Sequence, residues 1–262
     1  MRDNMNILIT GACSNIAYNV AQKLSDYNKI YLTVHTEAQL LNLKEKINNP
    51  NIEVYKLDIT NKEDYKIIDE IDIDVFIANA AVGVGGSVLA MEMDFIRYNY
   101  EVNFFSNLEL IKYVYQKMEK RNRGKIFVMS SLTSMIPIAM LESYTSSKAA
   151  LSNIIMSIRK ELKIIKSNIK ISLIEPGAYK TGFNQVMIDN KDNYLNVDSI
   201  FYKNREIFTQ KQRKLFRLLE NKNINSIVNK IVKEVGKKNP KFKIRVPILQ
   251  VILIKIYLLI CR

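Results

Sequence analysis

The chain has 262 residues, 48% of them apolar, with 39 basic against 26 acidic side chains and a formal net charge of +13. Length and composition suit one domain with a substantial core and exclude a disordered or fibrous polypeptide. Two cysteines, Cys13 and Cys261, and a single histidine, His35, exclude a disulfide scaffold and a clustered zinc site, so no metal is expected and a reducing cytoplasm is.

No charged, apolar and cleavage-site pattern precedes the first apolar run, so no signal peptide is expected. That run, Asn6 to Ile9, reads as a strand, Thr10 to Ala17 as a tight turn, and the residues through Leu24 as a helix. Strand, turn and helix in this order aim backbone N–H groups and a helix N-terminus at a phosphate, which makes Gly11, Ser14, Asn15 and Ile16 candidate dinucleotide ligands. A second strand ends in Leu32-Thr33-Val34, followed by His35 and by Glu37, which opens the next helix. Further buried-type strands run from Ile52 to Leu57, ending in Asp58, from Val75 to Ala78, before Asn79-Ala80-Ala81, and from Lys125 to Met129, ending in Ser130-Ser131. Each carries polar residues at its carboxyl end, where open parallel sheets bind ligands. Strands alternating with helices imply an α/β fold of the Rossmann type, a doubly wound parallel sheet in a single domain.

Asn103 lies among apolar neighbours in a helical stretch. Tyr144 and Lys148 stand four residues apart, on one face of the helix that carries them. A fixed cation beside a phenol favours the phenolate, so the lysine is expected to lower the tyrosine pKa toward the working range of a proton donor and acceptor.

Residues 1–200 hold 23 basic and 23 acidic side chains, whereas residues 201–262 hold 16 and 3. The whole excess of charge therefore lies in the last quarter, and the chain divides into a catalytic, dinucleotide-binding part, 1–200, and a basic extension, 201–262. In the extension, Asn225 to Val235 has helical apolar spacing, Lys241 to Val246 alternates like a strand, and Pro247 opens an apolar run from Ile248 to Cys261, broken by Gln250 and Lys255. The run is shorter than the ~20 apolar residues of a membrane span but long enough to lie in an interface. Two readings stand: a helix packed on the core or a partner subunit, or a segment that lies on an anionic membrane surface, peripherally on the cytoplasmic face. The extension has no aromatic platform, so no nucleic-acid partner is expected.

Taken in order, TGACSNIA, Asn79-Ala80-Ala81, Asn103, Ser131, Tyr144 with Lys148, and Pro176-Gly177 with Thr181 resemble the motifs of the short-chain dehydrogenase/reductase family, over about residues 5–183. The serine of that pattern stands thirteen residues before the tyrosine, which selects Ser131 over Ser130. Of the three motif glycines only Gly11 is present. Asn15 tolerates a left-handed backbone, and Ala17 suits the close packing of a helix on its strand. Ile16-Ala17-Tyr18 also resembles enoyl reductases of the superfamily, but the spacing they need puts Leu141 where a tyrosine is required.

The resemblance implies an NAD(P)-dependent oxidoreductase acting on a carbonyl or secondary alcohol. Tyr144 is the implied proton donor and acceptor, Ser131 the group that binds the reacting oxygen, Lys148 the cation that lowers the phenol pKa and binds the nicotinamide ribose, and Asn103 the residue that bends its helix and holds a relay water. Asp58, which also reads as the cap of the following helix, is implied to face the adenine with Ile59, while Asn79, Ala80, Ala81, Pro176, Gly177 and Thr181 border the cofactor. Val34 stands where NAD-using relatives have aspartate and His35 where NADP-using ones often have arginine, so NADP is expected, with NAD the alternative. A homodimer or homotetramer paired through helices starting near Asn99 and Tyr144 is implied in the same way. The substrate is open between a lipophilic or lipid-linked ketone and a sugar nucleotide. A non-catalytic dinucleotide sensor and a membrane-surface adaptor are the alternatives to an enzyme, and the intact Ser131, Tyr144 and Lys148 argue against both.

Overall fold

Seven short runs rich in apolar and β-branched residues form the strands β1 (Asn6–Ile9), β2 (Lys29–Val34), β3 (Ile52–Lys56), β4 (Val75–Ala78), β5 (Lys125–Met129), β6 (Lys170–Pro176) and β7 (Lys243–Val246). The structure, a computed structural model, describes residues 4–260. All six strand pairs are parallel, in the order β3-β2-β1-β4-β5-β6-β7. Strands β4 and β5 are buried at every position, as a sheet covered on both faces requires.

Between them run α1 (Asn15–Leu24), α2 (Glu37–Lys46), α3 (Lys66–Asp69), α4 (Met93–Tyr100), α5 (Asn107–Lys120), α6 (Glu142–Ile164), α7 (Phe183–Asp189), α8 (Ile200–Lys203), α9 (Arg205–Leu219) and α10 (Asn225–Val235), and after the last strand comes α11 (Ile248–Ile260). The period of two along each strand divides the core into two layers. Ile7 and Ile9 pack with Val20 and Leu24 of α1 and with Ile227, Val228 and Ile231 of α10. Leu8 and Phe76 face the other way, against Leu110 of α5 and Leu151 and Ile155 of α6.

The expected strands and the helices at 15–24 and 225–235 are in place. The helix expected to begin near Asn99 starts earlier, at Met93, and passes through a π-helical turn, Glu101–Ser106, into α5. Residues 201–262, set apart in the sequence by their charge, contribute β7 and α10 to this same sheet and core. Helix α11 follows β7, and no helix among the described residues is long and apolar enough to cross a membrane. The last residue of the expected apolar run, Cys261, lies outside the described residues.

Because β1 has β2 on one side and β4 on the other, the connections after β1 and β3 leave the sheet in opposite directions, and a crevice opens at the carboxyl ends of the central strands. Gly11 closes the turn there with φ of +67°, and a Cβ at that position would stand 2.8 Å from the Ala80 Cα. Asn79 ties the two strand ends together, its Nδ2 donating to the carbonyls of Thr10 and Gly11, both at 2.9 Å. Gly11→Ala is expected to lower the unfolding free energy by roughly 1–3 kcal/mol, through the left-handed backbone and the collision with Ala80; urea unfolding measures it, and an unchanged midpoint would contradict this account.

Candidate active site

The crevice is a cleft of about 770 Å³. Its lining includes Gly11, Ser14, Asn15, Ile16, His35, Asp58, Ile59, Asn79, Ala80, Ala81, Ser131, Tyr144, Lys148, Pro176, Gly177 and Thr181. Of the residues singled out in the sequence, Asn103 alone stands behind this wall. It is fully buried, its Oδ1 accepts from the Val82 backbone N–H at 2.8 Å, and its Nδ2 donates to the Val82 carbonyl at 2.9 Å and to Asn99 Oδ1 at 2.6 Å. It lies within the π turn Glu101–Ser106 that joins α4 to α5.

The turn after β1 fits a diphosphate. Ser14 is the N-cap of α1 but its side chain makes no capping bond, and the first turn carries no acidic residue. The leading N–H groups of α1 therefore remain for an anion at the positive end of the helix. Asn15 is not left-handed, contrary to expectation: it is the first residue of α1, and its Nδ2 reaches across the cleft to the Thr181 carbonyl at 3.3 Å. Ala17 is buried against the sheet, as expected for the third motif position.

At the far end of this half, Val34 is buried and His35 exposed. His35 Nε2 is 3.1 Å from Asp58 Oδ2, and Gln39 Oε1 accepts from the His35 backbone N–H at 3.0 Å. Burial pushes the Asp58 carboxyl up, but hydrogen bonds from Thr60 and the neighbouring His35 outweigh it and hold the group below the usual aspartate value. Asp58 does not cap the helical turn that follows. Asn61 takes that place at Lys62–Tyr65, while Asp58 closes the turn to Thr60, whose N–H donates at 2.9 Å. Glu37 opens α2 behind the Thr36 cap, as its position implied.

At the floor, Ser131 caps the turn Leu132–Met135 and accepts from Thr133 N–H at 3.1 Å, with its hydroxyl in the same part of the cleft as the Tyr144 phenol. Lys148 is buried one turn further along α6, its Nζ donating to the Met129 carbonyl at 3.2 Å and standing 5.9 Å from the centre of the Tyr144 ring. The expected lowering of the phenol pKa is not found. Burial pushes Tyr144 up to about 12, opposed by the neighbouring Ser131 hydroxyl, and burial pushes Lys148 down to about 8. The ammonium lies against the ring and the Met129 carbonyl, so desolvation decides both groups. The phenol is thus held protonated, and Ser131 and Tyr144 can present two hydroxyl donors to one oxygen atom.

Beyond Tyr144 the wall is apolar. Leu141, Met187, Ile188 and Phe216 are buried with the tyrosine, and the Phe183 ring lies 5.8 Å from its ring. Apart from Leu141, this wall comes from the stretch Phe183 to Asn223, which carries no readable motif. Thr10, whose Oγ1 accepts from the N–H groups of Asn79 and Ala80, and Gln39 are site residues that the sequence reading passed over. The TGA triplet placed Thr10 beside Gly11, which was the available signal.

The family model described as short chain dehydrogenase matches residues 5–192. The chain is 29% identical over 261 residues to a 3-ketodihydrosphingosine reductase of Bacteroides thetaiotaomicron, covering 95% of this chain and 90% of that protein. It is 26% identical over 254 residues to retinol dehydrogenase 8 of Bos taurus, covering 91% and 80%. Its fold is similar to the crystal structure of a short chain dehydrogenase/reductase from Burkholderia phymatum in complex with NAD, with a TM-score of 0.80 at 15% identity over 97% of this chain and 92% of that one.

A lysine whose folded pKa lies near 8 instead of 10.5 opposes folding fully below about pH 8 and less as pH rises toward 10.5, because the unfolded chain binds the extra proton. Lys148→Met is therefore expected to stabilise the ligand-free protein at pH 7, by about 3 kcal/mol at most. The gain should shrink between pH 8 and 10.5. Denaturant unfolding at several pH values checks this, and a variant less stable at pH 7 would refute the burial argument.

Proposed function

The chain belongs to the short-chain dehydrogenase/reductase family and is an NAD(P)-dependent oxidoreductase, and from that premise we propose that it reduces a lipophilic ketone to a secondary alcohol, with Tyr144 as the proton donor. The observation that carries this reading is the meeting of Ser131, Tyr144 and Lys148 at the polar floor of a cleft whose outer wall is apolar.

The nicotinamide of the bound dinucleotide supplies the hydride. The first turn of α1 would hold the diphosphate, and Asn79, Ala80, Ala81, Pro176, Gly177 and Thr181 would border the rest of the cofactor. Burial keeps the proton on Tyr144, so the phenol enters as an acid and donates to the carbonyl oxygen as negative charge develops there. Ser131 donates to the same oxygen, a bond that strengthens toward the transition state. Lys148 then stands as the cation beside the phenolate that the transfer leaves. Asn103 fixes the Val82 loop and, in the pattern of the family, the water that reconnects Lys148 to solvent. The alcohol is oxidised through the same groups in reverse.

A lipophilic ketone is favoured over a sugar nucleotide because Leu141, Phe183, Met187 and Phe216 offer a diphosphate no cation, and the basic side chains of the lining, His35 and Lys148, both belong to the dinucleotide half. The names of the two relatives point the same way. NADP is favoured over NAD because the end of β2 offers buried Val34 and no acid, while Asp58 holds His35 at the rim. A homodimer through α5 and α6 is supported by Phe105, half exposed on the π turn.

The extension supports a cytoplasmic, anionic membrane surface as a partner. Helix α11 turns Gln250, Val251 and Ile254 toward the body and Leu249, Ile252, Leu253, Ile256 and Leu259 outward, the reverse of a helix made to face water. The last turns of α9 expose Lys211, Lys214 and Arg217, each worth about 1 kcal/mol near an anionic leaflet.

Tyr144→Phe is expected to lower kcat by about 10²–10⁴-fold, the usual worth of a positioned acid, while NADPH binding stays within a few fold; most of the activity surviving would sink the assignment. NADPH should bind roughly tenfold more tightly than NADH, a difference of about 1.4 kcal/mol, and His35→Arg should widen the gap. Fluorescence titration of both nucleotides measures this, and tighter NADH binding would reverse the cofactor reading.

A further inference from the structure

The polar interruption of the apolar tail touches the cleft. Gln250 lies on the first turn of α11, where its Oε1 accepts from the Ala178 N–H at 2.8 Å and its Nε2 donates to the Ala178 carbonyl at 3.3 Å and the Leu219 carbonyl at 2.6 Å. One side chain thus joins three segments: the tail helix, the turn after β6 that borders the cleft, and the end of α9, whose Phe216 forms part of the substrate wall. The parallel register of β6 and β7, with Pro176 opposite Val246, brings α11 out on the same rim as the cleft. The Gln250 side chain lies close over Gly177, in space that a Cβ there would enter.

The helix that carries this clamp packs on the body through one half-buried face. No residue of α11 is fully buried; Gln250, Val251 and Ile254 are half-buried, and its outward residues are exposed, by 71% at Ile248, 47% at Leu253 and 77% at Ile260. Thirteen residues make a marginal helix in water without packing. An anionic bilayer fits the outward face on two counts. The face is apolar, and Lys211, Lys214 and Arg217 of α9 lie on the helix whose end Gln250 grips.

Resting on the membrane reading above, we propose that Gln250 is a positioning residue that couples α11 to the cleft, so that seating the helix on an anionic lipid surface orders the 176–178 turn and tightens the dinucleotide site. The coupling follows from linkage. If lipid favours the ordered helix, and the ordered helix favours the turn that the dinucleotide needs, then lipid and dinucleotide each raise the affinity for the other by one factor. A bilayer-bound substrate would then meet an enzyme already set to receive its cofactor.

The test uses the full chain, NADPH, and vesicles of phosphatidylglycerol or phosphatidylcholine. Phosphatidylglycerol vesicles should bind the protein, less so as salt rises, and should tighten NADPH binding on the order of fivefold. Saturating NADPH should strengthen vesicle binding by the same factor, and amide exchange at Ala178 should slow on vesicles. Gln250→Leu keeps the helix apolar, so it should bind vesicles at least as well while losing both the NADPH effect and the slowed exchange. Vesicle binding with unchanged NADPH affinity in the unaltered chain would overturn the coupling and leave the membrane reading standing. A coupling that survives in Gln250→Leu would overturn the role of Gln250. No vesicle binding, with a concentration-dependent dimer that Leu253→Asp abolishes, would overturn the membrane reading and assign α11 to a second copy of the chain.

Discussion

The exclusion of water from the Tyr144 and Lys148 side chains is the constraint on which the rest of the site depends. A buried ammonium and a buried phenol each cost stability, and the surroundings are arranged to hold them there. The Lys148 ammonium has the Met129 carbonyl at the end of β5, while Ser130 hydrogen-bonds both the Lys148 carbonyl and the Ser152 hydroxyl, fixing α6 against that strand. On the other side Asn99 donates to Ser143 and Asn103 lies 3.5 Å from the Ser147 hydroxyl, so the residue before each member of the pair is tied to the neighbouring helix. Ser130, Ser143, Ser147 and Ser152 are the fastenings of the catalytic helix. The chemistry is thus carried by a few side chains, and their position by a larger polar network around them.

What was legible in the sequence was local. Tyr144 and Lys148 share a helical face by spacing alone, and the strand ends at Asp58, Asn79 and Ser131 follow from short runs of four to six residues rich in apolar side chains. Gly11 was legible because a turn with φ of +67° leaves few other choices. Asn15 was misread because its place in the motif suggested a backbone role, whereas at the first position of α1 its side chain has the role, bridging to Thr181. The phenol pKa was misread for a related reason: spacing puts the cation near, but only the fold reveals that burial outweighs it. The substrate wall was not legible, since Met187 and Phe216 are placed by contact with Leu141 and not by any period in their own segment. Gln250 was beyond reach, with partners 72 and 31 residues away.

These differences divide the cleft into two halves built by different means. The dinucleotide half is made of backbone at strand ends and one helix N-terminus, so it tolerates loss of two motif glycines while keeping its shape. The other half is made of apolar side chains, Leu141 ahead of α6 and Phe183, Met187 and Phe216 on α7 and α9, whose identity sets what fits without altering the sheet beneath. One half binds what the family shares, and the other is free to differ from member to member.

The π turn at Glu101–Ser106 shows how finely the two halves are joined. A π turn is one residue more than the α-helix needs, and each residue of a regular helix turns the chain by about 100°. Here the extra residue lets Asn103 turn its amide onto both backbone groups of Val82 while Asn99, four residues earlier, still reaches Ser143. Loss of any one residue between 101 and 106 would not simply shorten the helix. It would let the segment relax into continuous α-helix, swing every side chain of α4 about a quarter-turn relative to α5, and break the register between Asn99 and the catalytic helix. In this stretch the number of residues, and not only their identity, sets where Asn99 and Asn103 point.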